Sequence, residues 1–532
     1  MKFTLHRLVA CGFFPSELPP PFRTGSFARF VSQAASTNFP FDLDAVPSSR
    51  PEIYYQAKHG TLRRSLAILN PIHFAGLAHF VVQNWSHLKA AASKSPFSLT
   101  TPEIGRDGRA IGRKCSFDIL AEKRADIRSR GKYLVRADVS RFYQSIYTHS
   151  VPWAIHGRRW SKKNRRIRCI GNDLDKLLQK CQEGQTNGIP IGPDTSLLIA
   201  EIILSKVDAS LTRSRAWRMR YMDDYELVVD TEGQALEALA ELQHSLLQLE
   251  LHLNPFKTGV THLPDALEYR WTAKLRAAPL DPASKRFKAQ VIRYFDAAFA
   301  LANQFPAAGV LKYAIGRVAH LSLKHEHNLV EDLLLQVARV ETGTLPLVLE
   351  VVLKNPSRQA RKQKRADLLL KTILEHGPQR HSSEVAWSIW GCIALQISLP
   401  KEGITATLQM EDSVCALLLL HAQSLGLANA KRASRVLEAV MTGDELYDSR
   451  WLLSYEGSIK SWINCPKGDH VTNDHNFGKL KAAGVSFYDI KKTTFPRPTS
   501  KRPRQPQVSP STEAIDLSDI WEEAESHSAD YV

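Results

Sequence analysis

The stretch Tyr221-Met222-Asp223-Asp224 lies between Arg218-Met219-Arg220 and the apolar run Leu227-Val228-Val229. Both flanking runs favour short β-strands, so the stretch is predicted to form the tight turn of a hairpin. Two adjacent carboxylates repel each other, and a divalent cation commonly neutralises such a pair. Asp-Asp pairs also occur on solvated turns that bind no ligand. The hairpin is therefore a candidate metal site that needs support from the rest of the chain.

A further carboxylate follows another β-prone run. Lys132-Tyr133-Leu134-Val135 favours a strand, and Asp138 comes shortly after it, at the predicted strand end. In an antiparallel sheet Asp138 would lie beside Asp223. With Asp224, these carboxylates would form a ligand set for two Mg²⁺ ions. The three aspartates are the predicted catalytic residues.

Three other segments contain residues suited to the same site. The ring of Tyr143 could close the space beneath an incoming sugar, or it could simply pack in the core. Residues 185–196 combine glycines and prolines before an apolar run, and glycine lets the backbone approach a ligand closely, although alone this is only a loop. Lys257, within residues 251–258, could hold or protonate a departing phosphate group, or remain a solvated surface lysine.

Taken in order, these segments resemble the conserved motifs of reverse transcriptases. Residues 138–143 are similar to motif A, residues 187–193 to motif B, residues 221–224 to the YxDD of motif C, and residues 251–258 to motif D. The resemblance implies an RNA-directed DNA polymerase that uses two Mg²⁺ ions. One ion would activate a 3′-hydroxyl for attack on the α-phosphate of a dNTP, and the other would hold the leaving pyrophosphate.

The resemblance also implies a role for each matched residue. The metal ligands would be Asp138, Val139, Asp223 and Asp224, and the substrate-binding residues would be Tyr143, Asn187, Gly188 and Lys257. Tyr143 would exclude a 2′-hydroxyl, which makes deoxynucleotides the expected substrates. Retroviral, retron and intron enzymes usually carry Gln-Gly in motif B, whereas this chain has Asn187-Gly188. The shorter side chain leads us to expect poor copying of long templates.

A narrower resemblance concerns residues 141–157, residues 188–193 and the opening residues 12–22, which look like those of bacterial abortive-infection and defence-associated reverse transcriptases. The likeness extends over residues 1 to about 275. It implies a role in defence against phage, with DNA synthesis templated by a partner RNA or running without a template. Some relatives prime on a protein tyrosine. An associated non-coding RNA and a homo-oligomer are further partners that the resemblance leaves open.

Two alternatives belong to other classes of protein. A retroelement enzyme of the retron or group II intron kind would need an RNA-processing or DNA-binding module, and the sequence shows none. A non-catalytic RNA-binding scaffold should have lost a catalytic carboxylate, yet Asp138, Asp223 and Asp224 are all present. The defence-associated polymerase is therefore the favoured hypothesis.

The charge of the chain indicates a polyanionic partner such as RNA or single-stranded DNA. There are 70 Lys and Arg residues against 54 Asp and Glu, which gives a net charge of +16 at pH 7. Residues 158–168 hold seven basic residues in eleven positions. The predicted nucleic-acid-binding residues in this run are Arg158, Arg159, Trp160, Lys162, Lys163, Arg165 and Arg166. A second basic run at residues 358–365 is read as a solvated face.

Cysteine usage and hydropathy indicate a soluble cytoplasmic protein with no membrane partner. The seven cysteines include no CxxC pair, which favours reduced thiols and implies no structural zinc. The apolar patch within residues 1–14 is short and interrupted, and no later run reaches the length of a membrane span.

The predicted fold class is α+β, with right-hand polymerase fingers and palm on an antiparallel sheet, followed by an all-α domain. The predicted divisions are an N-terminal segment (1–59), fingers and palm (60–275), a helical domain (276–490) and a disordered tail (491–532). Helical periodicity beyond about residue 284 is predicted over residues 288–302, 328–340, 345–353, 362–376, 383–397, 412–425, 428–441 and 444–462. Stacked helical pairs of the HEAT type are favoured over an irregular thumb.

Overall fold

Helices surround three small antiparallel sheets in the part of the chain that the structure describes. The structure is a computed structural model, and it describes residues 2–58, 62–105, 108–115, 119–212, 214–306, 308–323, 325–355, 360–429 and 431–494. Most of the predicted disordered tail, from residue 495 onward, lies outside these residues, as does part of the second basic run. Within the described residues, every helix is too short or too polar to cross a lipid bilayer.

Helices and two short hairpins make up the chain as far as residue 128. In order these elements are α1 (Leu5–Cys11), α2 (Gly25–Ala34), β1 (Glu52–Ala57), β2 (Arg63–Ile68), α3 (Pro71–Gln83), α4 (Trp85–Ala92), β3 (Pro102–Ile104), β4 (Ile111–Arg113) and α5 (Leu120–Arg128). The hairpin of β1 and β2 joins residues on either side of the predicted boundary at residues 59 and 60. Residues on the two sides of this boundary are therefore hydrogen-bonded to each other, and the predicted division of the chain stays a prediction.

The central sheet and its helices follow in the next part of the chain. They are β5 (Tyr133–Ala137), α6 (Phe142–Ser145), α7 (Ser150–His156), α8 (Arg158–Lys163), α9 (Ile170–Lys180), α10 (Asp194–Ser210), β6 (Trp217–Tyr221), β7 (Asp224–Val229), α11 (Glu232–Leu247) and β8 (Gly259–His262). The sheet has the order β6-β7-β5-β8, and all neighbours are antiparallel. The strand and the hairpin that the sequence predicts therefore pair directly, as β5 with β7.

Both faces of the central sheet are covered, because alternate residues along each strand point to opposite sides. Val135 and its partner Leu227 belong to the main core, on the side where α11 packs. Leu134 and its partner Val228 belong to a smaller apolar cluster with residues of α5 and the β6–β7 hairpin. Burial on both faces fixes the strand register, since a slip of one residue would exchange these two sets.

Helices form the remainder of the described chain, and after residue 262 it contains no strand. They are α12 (Arg270–Ala277), α13 (Phe287–Gln304), α14 (Val310–Ala319), α15 (His327–Val340), α16 (Leu345–Lys354), α17 (Lys362–His376), α18 (Ser382–Leu395), α19 (Lys401–Leu408), α20 (Ser413–Ser424), α21 (Lys431–Leu437), α22 (Trp451–Ile459), α23 (His470–Asn473) and α24 (His475–Ala482). Helical spacing of the aromatic residues in this half predicts core positions for all of them; Trp387, Trp390, Trp451 and Tyr455 are buried, whereas Trp462 is half-buried. A HEAT-type arrangement of these helices stays a prediction.

The helical half packs against the beginning of the chain. Residues 485–489 run beside residues 21–23, where Arg23 N donates to the Phe487 carbonyl at 2.8 Å and Asp489 N donates to the Pro21 carbonyl at 2.8 Å. The Phe487 ring lies 5.3 Å from that of Phe27 and 5.2 Å from that of Trp451. One continuous apolar core therefore extends from the first helices to the last.

Candidate active site

The register of the central sheet brings Asp138 to the β6–β7 turn. Ala137, the last residue of β5, pairs with Tyr225 of β7. Asp138 directly follows Ala137 and Asp224 directly precedes Tyr225, so the two carboxylates lie at the same end of the paired strands. The strand-end carboxylate and the hairpin carboxylates, which the sequence predicts as one site, are thus neighbours.

The turn between β6 and β7 has two residues, Met222 and Asp223, because Tyr221 and Asp224 form the last pair of the ladder. Met222 has a φ of 56°, which lies in the left-handed region. That conformation costs a non-glycine residue about 1–2 kcal/mol, so surrounding contacts must hold it. Asp223 and Asp224 are half-buried, whereas Asp138 is only 7% exposed.

The segment that resembles motif D lies directly beside Asp138. Asp138 Oδ2 accepts a hydrogen bond from Asn254 Nδ2 at 2.9 Å, and Lys257 Nζ lies 3.6 Å from the same oxygen. The backbone is also joined, since Asn254 N donates to the Asp138 carbonyl at 2.8 Å and Val139 bridges to Leu253. The predicted Lys257 is therefore at the carboxylate site, and Asn254 is a neighbour that the sequence analysis missed.

The segment that resembles motif B runs beside the residues after Asp138. Ile189 N donates to the Tyr143 carbonyl at 2.8 Å, and Asn187 forms a bridge with Tyr147. Gly188 has a φ of 84°, and a Cβ there would lie 3.2 Å from the Gln144 carbonyl oxygen. Glycine is therefore required by conformation at this position. Asn187 is exposed and Tyr143 is half-buried, so their side chains are accessible from the surface.

The basic run predicted to bind nucleic acid is only partly free to do so. Arg158 donates to the Gln248 carbonyl at 3.2 Å, pairs with Glu250 at 2.6 Å and stacks over the Trp153 ring at 4.5 Å. Lys162 also lies 5.5 Å from the centre of that ring. The other predicted residues of the run are exposed, namely Arg159, Trp160, Lys163, Arg165 and Arg166. Because residue 250 leads directly into the segment that resembles motif D, this surface is joined to the carboxylate site.

In its described part, residues 360–365, the second basic run contains arginines that form ion pairs inside the protein. Arg365 is 1% exposed and pairs with the buried Glu331 at 2.7 Å. Arg361 pairs with the same carboxylate at 3.0 Å. Burial alone would raise the pKa of Glu331, but Arg365 and Arg361 hold it below its ordinary value. The sequence predicts a solvated face for this run, but Arg361 and Arg365 belong to an internal ion-pair network, whereas Lys364 is exposed.

Sequence reasoning missed a buried polar network behind the β6–β7 turn. Arg220 is fully buried and pairs with Glu201 at 2.9 Å and with Asp208 at 2.7 Å. Burial alone would lower the pKa of the Arg220 guanidinium, but Asp208 and Glu201 keep it well above its ordinary value. Both carboxylates lie on α10. Charged residues at regular positions within this otherwise apolar helix were the available signal, because buried charges require partners.

A second group of possible metal ligands lies far from the aspartates in sequence. Among the described residues, ligand atoms of His376, His381 and Glu384 lie within 4.8 Å of one another. Arg63 of β2 already donates to His381 Nδ1 at 2.7 Å and pairs with Glu384 at 2.5 Å. A guanidinium therefore supplies the positive charge that Glu384 needs. This cluster joins β2 to α18 and is not a candidate metal site.

Comparison with known proteins gives a family match for part of the chain. Residues 92–299 match the family model described as reverse transcriptase (RNA-dependent DNA polymerase). No curated protein matches the chain. Fifty chains from solved structures match it, and one comes from a structure of telomerase from Candida albicans in complex with a TWJ fragment of telomeric RNA. That match has a TM-score of 0.27 and 11% sequence identity over 78% of this chain and 70% of the other. Structural similarity at this level supports no conclusion about function. The assignment of residues 92–299 therefore rests on the family match.

Proposed function

Proceeding from residues 92–299 as a reverse transcriptase domain, we propose that Asp138, Asp223 and Asp224 form a two-metal site for DNA synthesis from dNTPs. The domain makes the chain an RNA-directed DNA polymerase. The observation that carries the proposed site is the strand register, in which Ala137 pairs with Tyr225, so that Asp138 and Asp224 are the next residues at the same end of the two strands. Two strands thus deliver carboxylates to one position from distant parts of the sequence.

The donor set fits Mg²⁺, which prefers carboxylate and carbonyl oxygens. Asp138, Asp223 and Asp224 would supply carboxylates, and Val139 would supply its backbone carbonyl. Two bound Mg²⁺ ions would lower the pKa of the primer 3′-hydroxyl and neutralise charge on the phosphates. Asp138 is nearly buried, and Asn254 fixes its orientation through one oxygen, Oδ2. A carboxylate held in this way is preorganised for its ligand.

Lys257 is proposed to act on the leaving group. Its ammonium lies 3.6 Å from Asp138 Oδ2, which keeps the side chain at the carboxylate site. A cation there would stabilise the charge that develops on pyrophosphate, and it can donate a proton to the departing oxygen. Tyr143, Asn187 and Gly188 are proposed to form the nucleotide side of the site, since their backbone segments are hydrogen-bonded to each other.

RNA is the proposed template, and the surface around α8 is proposed to bind the nucleic-acid backbone. The exposed Arg159, Lys163, Arg165 and Arg166 would contact phosphates, and the exposed Trp160 would stack on a base. The net charge of +16 supports a polyanionic partner.

Primer extension by the purified chain tests the proposed site. Asp223→Asn preserves volume but weakens metal ligation, so the rate should fall about 1,000-fold while nucleic-acid binding is retained. Asp230→Asn is the matched control, because it removes the same charge from an exposed position after β7 on the same hairpin and should leave the rate unchanged. Incorporation by Asp223→Asn at the wild-type rate would exclude the assignment.

We further propose a role in defence against phage, with synthesis on a partner RNA or without a template. The support is the resemblance of residues 141–157 and residues 188–193 to the defence-associated enzymes. Bacteria that express the wild-type chain should resist a panel of phages, and bacteria that express Asp223→Asn should not. Sequencing of co-purified nucleic acid distinguishes the retroelement alternative, for which the bound RNA would be a retron or intron transcript. Equal protection by both chains would instead favour the non-catalytic scaffold.

A further inference from the structure

The residues before β3 bring a hydroxyl group to the β6–β7 turn. Ser98 forms a parallel bridge with Arg220, and Leu99 N donates to the Arg220 carbonyl at 2.9 Å. The same parallel register, followed for two more residues, places Thr100 beside Met222. Thr100 is fully buried, so its hydroxyl must find its partners within the protein.

Both backbone polar groups of Met222 are held by side chains. Met222 N donates to Thr100 Oγ1 at 3.1 Å, and the Met222 carbonyl accepts from Arg220 Nη1 at 2.7 Å. Neither contact belongs to the strand ladder, which ends at Tyr221 and Asp224. These two hydrogen bonds fix the peptide groups on either side of the left-handed residue. They therefore fix the direction in which the next residue, Asp223, leaves the turn.

The two side chains that hold Met222 meet at Glu201. Thr100 Oγ1 donates to Glu201 Oε1 at 2.5 Å, and Arg220 Nη1 donates to the same oxygen at 2.9 Å. The Thr100 hydroxyl donates its proton to Glu201. An oxygen lone pair of the same hydroxyl can therefore accept from Met222 N. Glu201 is 1% exposed and lies on α10, the helix that follows the loop containing Asn187 and Gly188.

We propose that Thr100 is a positioning residue that, with Arg220 and Glu201, sets the orientation of the Asp223 carboxylate for metal binding. This inference rests on the proposed function of Asp223 as a metal ligand. Thr100 touches neither the carboxylate nor a substrate, and it acts through the backbone of Met222. The network also connects the turn to α10, so the two sides of the candidate site share one rigid support.

Substitutions at Thr100 in the full-length protein test the proposal. Thr100→Val removes the hydroxyl with little change of shape, and Thr100→Ser restores it. Thr372→Val is the matched control, because it makes the same change at a buried threonine of α17 whose Oγ1 donates to the Leu368 carbonyl at 2.9 Å within its own helix. Each variant is measured for kcat, for KM with primer–template, for the Mg²⁺ concentration at half-maximal rate, and for amide hydrogen exchange at Met222.

Thr100→Val should lower kcat about tenfold and raise the half-saturating Mg²⁺ concentration, since Met222 N loses its acceptor and Glu201 loses one of its donors. KM for primer–template should stay within about twofold, and Met222 amide exchange should be about tenfold faster. Thr100→Ser should restore all four quantities, and Thr372→Val should leave them near wild type. Amide exchange is independent of catalysis, so it reports on the turn even without turnover.

Each remaining outcome bears on a different claim. If wild type shows no Mg²⁺-dependent synthesis, the proposed function fails, whereas the exchange result still reports whether Thr100 holds the turn. If wild type is active and Thr100→Val matches it in kcat and Mg²⁺ dependence, the positioning role is overturned. Thr100→Ala replaces Thr100→Val if the latter does not fold. Failure of both to fold beside a folded Thr372→Val would mark Thr100 as a stability residue and also overturn the proposal.

Discussion

Tyr143 stands where the strand that ends at Asp138 meets the loop of Asn187 and Gly188. Its carbonyl accepts from Ile189 N, and its ring packs 5.4 Å from the ring of Phe142. The ring is half-buried, so one side contacts the core and the other is accessible. This position suits a side chain that limits the room beneath a nucleotide sugar.

Replacing Tyr143 with Ala should relax discrimination against ribonucleotides, because the ring that would meet the 2′-hydroxyl is gone. We expect the ratio of kcat/KM for dNTP to that for rNTP to fall at least about tenfold, corresponding to roughly 1.4 kcal/mol. Tyr143→Phe, which keeps the ring, should retain the wild-type ratio. Single-nucleotide incorporation with matched dNTP and rNTP measures both. An unchanged ratio in Tyr143→Ala would show that Tyr143 only packs in the core.

At the scale of residues, the sequence predicts groups that lie at strand ends and turns but not the contacts that hold them. Asp138, Asp223 and Lys257 belong to short local patterns; Lys257 Nζ lies 3.6 Å from Asp138 Oδ2, and Asp223 lies in the turn at the same end of the paired strands. Thr100 is separated from Met222 by 122 residues. No local periodicity encodes a contact over such a distance, because it depends on how the β3 region packs against β6.

Among the elements, α8 is a short amphipathic helix with two different basic surfaces. One surface lies over Trp153 and is tied to residues 248–250 through Arg158. The other is exposed and continues into residues 165–168. Only the exposed surface is available to a phosphate backbone, which narrows the set of residues that a binding experiment should change.

Replacing Arg159, Lys163, Arg165 and Arg166 with Ala should weaken binding of RNA or single-stranded DNA and flatten its salt dependence. Each lost phosphate contact should lower the slope of log K against log salt by about 0.7–0.9. The control replaces Lys354, Lys364, Lys371 and Arg380, four exposed basic residues already paired with carboxylates at 2.8, 3.1, 3.5 and 3.4 Å. Fluorescence anisotropy at several salt concentrations measures the slopes. Equal slopes for both quadruple variants would show that α8 is only a solvated surface.

Long periodic elements were predicted better than short or interrupted ones. Helix α17 has the predicted bounds, Lys362–His376, because its apolar positions repeat at helical spacing. The single helix predicted over residues 444–462 is wrong, since a 3₁₀ turn at Asp444–Tyr447 precedes α22. Asp448, with extended backbone, separates them. Helices α14 and α19 were missed because their charged residues are few and their lengths are short.

For the molecule as a whole, buried histidines link stability to pH. His421 is 1% exposed, and its Nδ1 lies 2.9 Å from the hydroxyl of Tyr488. Burial, assisted by nearby Lys460, lowers the pKa of His421 from 6.5 to about 4. Burial likewise lowers the pKa of His73 to about 4. These imidazoles are neutral in the folded protein at pH 7.

Acidification from pH 7 should therefore destabilise the fold through its buried histidines. The unfolded chain binds a proton at His421 with a pKa near 6.5 and the folded chain only near 4, so stability is lost as pH falls between these values. His421→Gln keeps a polar partner for Tyr488 but cannot titrate. Its melting temperature should fall by about 2 °C less than that of wild type between pH 7.5 and pH 5, since the linked loss of about 2 kcal/mol corresponds to about 2 °C for a chain of this length. Thermal unfolding at both pH values measures this, and equal losses would show that His421 does not contribute.

The pairing of residues 21–23 with residues 487–489 has a consequence for how the chain is made. Ser26 and Ser486, which are hydrogen-bonded, are 460 residues apart. At about 5–20 residues per second, translation of that interval takes roughly 20 to 90 s. Throughout this time the aromatic surface around Phe13 and Phe27 lacks Phe487, its final partner. The core of the first part of the chain therefore remains incompletely packed while the ribosome synthesises the rest. The polymerase can reach its complete fold only after the helical half has been synthesised.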